Sequence, residues 1–185
     1  MNSLAILLIV LAIIVVAVIG YYNRLVRGRT RVSEAWADID IQLKRRADLI
    51  PNLVETVKGY KGYEQQTLQA VTEARTRSLQ ARTMAERGAA EAAVSAGLTS
   101  LFAVAEQYPD LKASTNFLEL QRELTDTEDK IQAARRFYNG LVRDYNITLA
   151  TFPGNIIAGA FGFHSSDFFD MPTDANREPV KVSFP

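Results

Sequence analysis

The chain has 185 residues, one histidine and no cysteine, and its 21 Lys+Arg balance 21 Asp+Glu to a formal net charge of zero. That composition excludes disulfides, thiolate metal sites, thiol catalysis and multi-histidine metal centres. Without a basic excess the chain is a poor nucleic-acid binder, and no nucleic acid is expected as a partner. The charges are also segregated: residues 1–22 carry none, so all 42 fall in the other 163.

Leu4 to Gly20 is an unbroken run of 17 apolar residues, 13 of them Leu, Ile or Val, followed by Tyr21 and Tyr22. At 1.5 Å per residue a helix from Leu4 to Tyr22 spans roughly 28 Å, close to the thickness of a hydrocarbon core. On an insertion scale the branched residues together favour membrane entry by about 4 to 8 kcal/mol. The two tyrosines stand where an aromatic interface belt belongs. A cleaved signal peptide would want a basic start, a shorter apolar core and a small-residue cleavage site. Met1-Asn2-Ser3 has no basic side chain, and Arg24, Arg27, Arg29 and Arg31 come after the run instead. The segment 1–22 is therefore expected to be an uncleaved single-pass membrane anchor. The four arginines orient it with the N-terminus out and the remainder in the cytoplasm. The same cluster is a candidate contact for anionic lipid headgroups.

Beyond the arginines, apolar residues repeat every seven positions. Trp36, Leu43, Ile50 and Val57 share one phase; Val32, Ile39, Leu53 and Tyr60 share the other, with Arg46 as its exception. This is the a/d stripe of a coiled-coil-like helix, and Pro51 inside it predicts a kink or a restart. A second stretch, Met84 to Tyr108, is alanine-rich, with Val94, Leu98, Leu101, Ala105 and Tyr108 at three- and four-residue spacing. Gly88 is expected to mark the turn into it, and Tyr108-Pro109-Asp110 its end. In the third stretch Phe117, Leu124, Ile131, Tyr138, Tyr145 and Phe152 recur every seven residues, until Pro153-Gly154 stops it. Long amphipathic helices with short connections and no alternating strand pattern predict an all-α, antiparallel helical bundle over residues 23–153.

Residues 154–185 differ in kind. Six of the nine phenylalanines fall in the last 34 residues, interleaved with Gly154, Gly159, Gly162, Pro172 and Pro179. Such an irregular aromatic tail is too apolar for disorder. It either folds back on the bundle or presents a contact surface to a partner or the bilayer. With Asp167 and Asp170 drawn to solvent, Phe161 and Phe163 are expected to pack inward and Phe168 and Phe169 to be the more exposed pair.

These motifs resemble the LemA family, bacterial single-pass membrane proteins with a cytoplasmic helical domain. The resemblance runs from about Asn23 to Phe184. Its most specific block is Glu34-Ala35-Trp36-Ala37-Asp38-Ile39-Asp40-Ile41-Gln42-Leu43-Lys44-Arg45-Arg46-Ala47-Asp48-Leu49-Ile50-Pro51-Asn52-Leu53-Val54. Val71-Thr72-Glu73-Ala74-Arg75, Tyr108-Pro109-Asp110-Leu111-Lys112-Ala113, Ala134-Arg135-Arg136-Phe137-Tyr138-Asn139 and Tyr145-Asn146 match as well. So do Phe152-Pro153-Gly154-Asn155, Phe161-Gly162-Phe163, Phe168-Phe169 and Pro179-Val180-Lys181-Val182-Ser183-Phe184. At Gly62-Tyr63-Glu64 the family often carries a His-Glu pair, so no role of that histidine transfers to this chain. The resemblance implies membrane anchorage and a helical bundle, and does not imply an enzyme.

The residues themselves offer little catalytic chemistry. A di-iron bundle needs Glu-x-x-His on two helices, and the single histidine, His164, lies in the tail. Ser165, Ser166, His164 and Asp167 are sequence neighbours, which rarely adopt triad geometry. No catalytic residue, cofactor or metal is expected. Arg46 occupies a stripe position and must find a carboxylate such as Glu128 or reach solvent, since an unpaired buried charge is costly. Alternatively Lys44, Arg45 and Arg46 form a docking patch for an acidic partner or for lipid. The candidate interaction residues are thus Arg24, Arg27, Arg29, Arg31, Lys44, Arg45, Arg46, Phe168 and Phe169. Two functions remain: a membrane-anchored interaction or scaffold protein that binds itself or an unidentified protein partner, and a regulatory or sensory adaptor of a membrane enzyme such as a protease or signalling kinase.

Overall fold

The apolar run and the stripe that follows it form one helix, α1 (Ser3–Lys58), in the computed structural model, which describes residues 3–59 and 65–171. Tyr60, the Gly62-Tyr63-Glu64 departure, the 179–184 motif and Phe184 lie outside the described residues. Along α1 the side chains from Leu4 to Ile19 face outward, and the first buried one is Leu25. From there Leu25, Val32, Ile39, Arg46 and Leu53 are buried at seven-residue intervals, as are Leu43, Ile50 and Val57 in the other phase. Trp36 is half-buried, its ring tilted against Tyr138 at 5.7 Å.

α1 runs unbroken through Pro51 rather than restarting there. Proline has no N–H to give the carbonyl four residues back, which here is that of Ala47. Arg75 takes over that role, its Nε donating to the Ala47 oxygen at 2.6 Å. Arg75 sits on α2 (Gln65–Gln80), a 16-residue helix that buries Leu68, Val71, Ala74 and Ser78. α3 (Met84–Ala105) begins in a capping box: the Glu86 N–H donates to the Thr83 hydroxyl at 3.1 Å, and the Thr83 N–H to the Glu86 carboxylate at 3.2 Å. The Arg82 and Thr83 backbone donors hold the Glu86 carboxyl below its ordinary value of 4.5. The start of α3 is therefore a threonine cap and not a turn at Gly88, which is buried inside the helix. A short turn of helix, α4 (Pro109–Lys112), leads into α5 (Thr115–Ala150), and α6 (Gly154–Phe161) follows. No strand occurs among the described residues, and the fold is all-α.

The chain forms two compact units, Met1–Asp40 with Gln132–Phe168, and Ile41–Ile131 with Phe169–Pro185. These cut across the divisions at residues 22 and 153, because α1 and α5 each contribute to both. In the first unit α1 and α5 run antiparallel: Trp36 meets Tyr138, and Gly28 lies against Tyr145. In the second, α2 and α3 are antiparallel, with Ser78 bonded to Glu91 and Gly97 against Val71. Ile50, Leu53, Val71, Val94, Leu98, Phe117 and Leu124 build its core, and the Phe102 and Phe117 rings meet edge to face at 6.2 Å. The apolar length of α3 is accounted for by this core, which takes its Val94, Leu98 and Leu101.

Candidate membrane-proximal site

The four arginines after the apolar run do not act as one cluster. Arg24, Arg27 and Arg31, at spacings of three and four, share a face of α1, and with Gly28 they line one wall of a cleft of about 400 Å³. Leu141, Asp144, Tyr145, Ile147 and Thr148 of α5 form the opposite wall. Gly28 makes this possible, since a Cβ there would lie 2.9 Å from the Tyr145 ring. The Tyr145 hydroxyl is buried and finds no hydrogen-bond partner among the described residues. Burial pushes its pKa up, against the opposing pull of Arg29. Three guanidinium groups with planar donor forks suit a phosphate or carboxylate. Asp144, ion-paired at 3.4 Å to its exposed neighbour Arg143, bounds that positive wall. Arg29 points elsewhere, its guanidinium 5.3 Å above the Phe163 ring.

α6 and the segment after it complete this unit. The Phe161 and Phe163 rings stand edge-on to Tyr22 at 5.0 and 5.6 Å. α6 ends in a left-handed cap, Gly162 at φ 69°, where the Phe163 N–H donates to the Ala158 carbonyl at 3.0 Å. The chain is then fastened to α5. Asn146 bonds both backbone groups of Ser166, at 2.9 and 3.0 Å, and the Tyr138 hydroxyl donates to the Asp167 carbonyl at 2.9 Å. Burial, then the nearby Asp167, raises the Tyr138 pKa. Asn146 and Tyr138 thus work as backbone clamps, a role nothing in their spacing announces. His164 is exposed.

The candidates Lys44, Arg45 and Arg46 lie in the second unit and separate sharply. Lys44 and Arg45 are exposed, Arg45 at 3.9 Å from Glu123. Arg46 is fully buried, which removes it from any docking patch. Its Nη1 donates to Ser95 at 2.8 Å and to the Glu128 carboxylate; its Nη2 donates to the Glu91 carboxylate at 2.5 Å and to the Glu91 carbonyl at 3.3 Å. Ser78 donates to the other Glu91 oxygen, which also lies 3.2 Å from Arg87 Nε. The expected partner Glu128 is present, and the more buried Glu91 was missed. A signal for it exists: Glu91 continues the three- and four-residue spacing of Val94, Leu98 and Leu101 backward, so it is the charged member of a buried stripe.

In the tail the expectation holds for Phe168 and for Phe163 and fails for Phe169 and Phe161. Phe169 is fully buried and Phe168 is 52% exposed, while Phe161 is 55% exposed and Phe163 half-buried. Burial alternates residue by residue there: Phe168 and Asp170 are exposed, Phe169 and Met171 buried. Asp170 reaches solvent by sending Phe169 and Met171 inward on either side of it. Gly88 receives this strand of tail: a Cβ there would sit 2.0 Å from the Asp170 carbonyl oxygen.

Comparison with known proteins agrees with this architecture. The sequence pattern of the LemA family matches residues 35–184, most of the helical domain and none of the apolar run. The chain belongs to the LemA family. It is 28% identical over 169 residues to "Protein LemA" of Metamycoplasma hominis, covering 89% of this chain and 75% of that one. It is also 22% identical over 192 residues to the magnetosome protein MamQ of Magnetospirillum gryphiswaldense, covering 90% and 71%. Against magnetosome protein MamQ 2 of Paramagnetospirillum magneticum the identity is 23% over 174 residues, and the chain spans 64% of that relative's length. The N-terminal apolar helix of this LemA-family chain is compatible with a membrane anchor.

Proposed function

We propose that this chain is a single-pass protein of a bacterial inner membrane whose helical domain, on the cytoplasmic side, acts by binding rather than by catalysis. The observation that carries this reading is the outward-facing apolar run of α1, continuous with the helix that forms the arginine cleft and the domain stripe. A cleft with three arginines just past an apolar span suits anionic headgroups, at about 1 kcal/mol per basic side chain near the surface. Buried Glu91 and half-buried Glu128 support a structural role, because both are engaged by Arg46. Lys44, Arg45 and Phe168 are left exposed for a second copy of the chain or another protein. An adaptor of a membrane protease or signalling kinase would use the same surfaces.

Photo-crosslinking residues at Lys44 and Phe168 of the full-length protein in its native membrane, followed by mass spectrometry, separate the two. The scaffold reading expects cross-linked copies of this chain from both positions. Capture of one membrane enzyme with no self-cross-link would replace it with the adaptor reading.

A further inference from the structure

We propose that the corner joining α5 to α6 is a second membrane contact, a foot that inserts Phe152, Ile156 and Phe161 into the headgroup boundary beside α1. The inference rests on the reading of α1 as a membrane span. Four observations support it. Residues 145–166 contain no Asp, Glu, Lys or Arg, in a chain of which 23% is charged. Within that stretch Phe152 is 79%, Ile156 61% and Phe161 55% exposed, an unusual display of large apolar side chains on consecutive turns. Ile157 and Ala158 of α6 are buried and Ile156 stands on its other side, so Ile156 is presented by a seated helix and not by a loose tail. The packing of Phe161 and Phe163 on Tyr22 sets the level, because Tyr22 closes the apolar run.

The occupant follows from that continuity. A short apolar helix beside the end of a span, with an aromatic cluster and then arginine above it, has the order of an interfacial element: acyl boundary, aromatic belt, cationic rim. From Tyr22 to Arg29, the residues that carry Phe163 between them, α1 rises about 10 Å, which matches the depth of an interface. Gly154 fixes the corner, since a Cβ there would lie 2.1 Å from the Thr148 carbonyl oxygen. A protein partner or a second copy seated on this face would have to lie in the plane of the lipid headgroups.

The chain contains no cysteine, so single reporters can be placed without background. Full-length Ile156→Cys and Phe152→Cys, both at exposed positions, carry an environment-sensitive fluorophore in vesicles of phosphatidylethanolamine and phosphatidylglycerol. Leu11→Cys reports the span and Glu123→Cys the aqueous face. The expected result is that the labels at 152 and 156 are quenched by nitroxide at the headgroup level of the lipid. They should also be several-fold less accessible to iodide than the label at 123. Labels at 152 and 156 as accessible to iodide as that at 123, with Leu11→Cys quenched by lipid, would overturn the foot and leave the span intact. Labels shielded from iodide yet untouched by lipid quenchers would assign the face to protein and also overturn it. Leu11→Cys fully accessible to iodide would overturn the span itself, and the foot with it.

Discussion

Arg46 holds a stripe position that an isoleucine or leucine would otherwise fill, and it is surrounded by oxygen atoms from α3 and α5. Taking a guanidinium out of water costs several kcal/mol, which only a well-bonded carboxylate shell offsets. The two glutamates are unequal: the Glu91 side chain is 2% exposed and that of Glu128 is 31% exposed. Removing the Glu91 charge leaves Arg46 with one carboxylate that is also shared with water. Glu91→Gln is therefore expected to destabilise by about 3 to 5 kcal/mol, and Glu128→Gln by clearly less. Urea unfolding followed by circular dichroism reads both, and equal losses would show that burial does not rank the two carboxylates. How far this centre is legible in the sequence depends on what surrounds each residue. Arg46 stands out because every other member of its heptad phase is apolar. Glu91 lies among alanines, where small side chains blur the stripe, and only its step of three to Val94 marks it. Ser78 continues the α2 spacing, seven residues after Val71 and four after Ala74, whereas half-buried Ser95 lies one residue off the α3 stripe and has no such mark.

At the scale of elements, the long stripes of α1, α3 and α5 are readable because each buries one face for several turns, and repetition averages out single exceptions such as Arg46. Thr127 is one more such exception: it is buried in the phase of Leu120 and Ala134 and satisfies its hydroxyl on the Glu123 carbonyl at 2.7 Å. Short elements lack that averaging. α6 has eight residues, and its exposed side is as apolar as its buried one, so no pattern separates the faces. In the tail after it, Asp167 and Asp170 reach solvent as expected, yet they carry only Phe168 outward with them. Burial alternates along residues 168–171 instead, which splits the adjacent phenylalanines between two faces. Phe169→Ala is consequently expected to cost about 3 to 5 kcal/mol. Phe168→Ala should stay within about 0.5 kcal/mol. Thermal unfolding of the two full-length variants tests this, and a larger loss at Phe168 would mean that Phe168, and not Phe169, is the packed side chain.

For the molecule as a whole, the decisive asymmetry is where charge begins. Nothing charged precedes Arg24, and four arginines follow within eight residues. An apolar helix with basic residues on one flank only is retained with that flank in the cytoplasm, where the membrane potential and anionic lipid hold it. The structure adds that Arg24, Arg27 and Arg31 line a cleft while Arg29 lies over Phe163, so the four side chains on which the proposed orientation rests are divided between two settings. Protease added to intact spheroplasts is expected to spare the helical domain of the unaltered protein, and digestion from outside would overturn the assigned direction. Replacing Arg24, Arg27 and Arg31 by Gln while introducing Asn2→Lys and Ser3→Lys moves the basic excess to the other flank. In that variant a fraction of molecules should become protease-sensitive from outside. Arg29 is left in place, so its contact with Phe163 is retained in the variant. Retention of full protection in the variant would mean that the bulk of the folded domain, rather than the flanking charge, sets the direction of insertion.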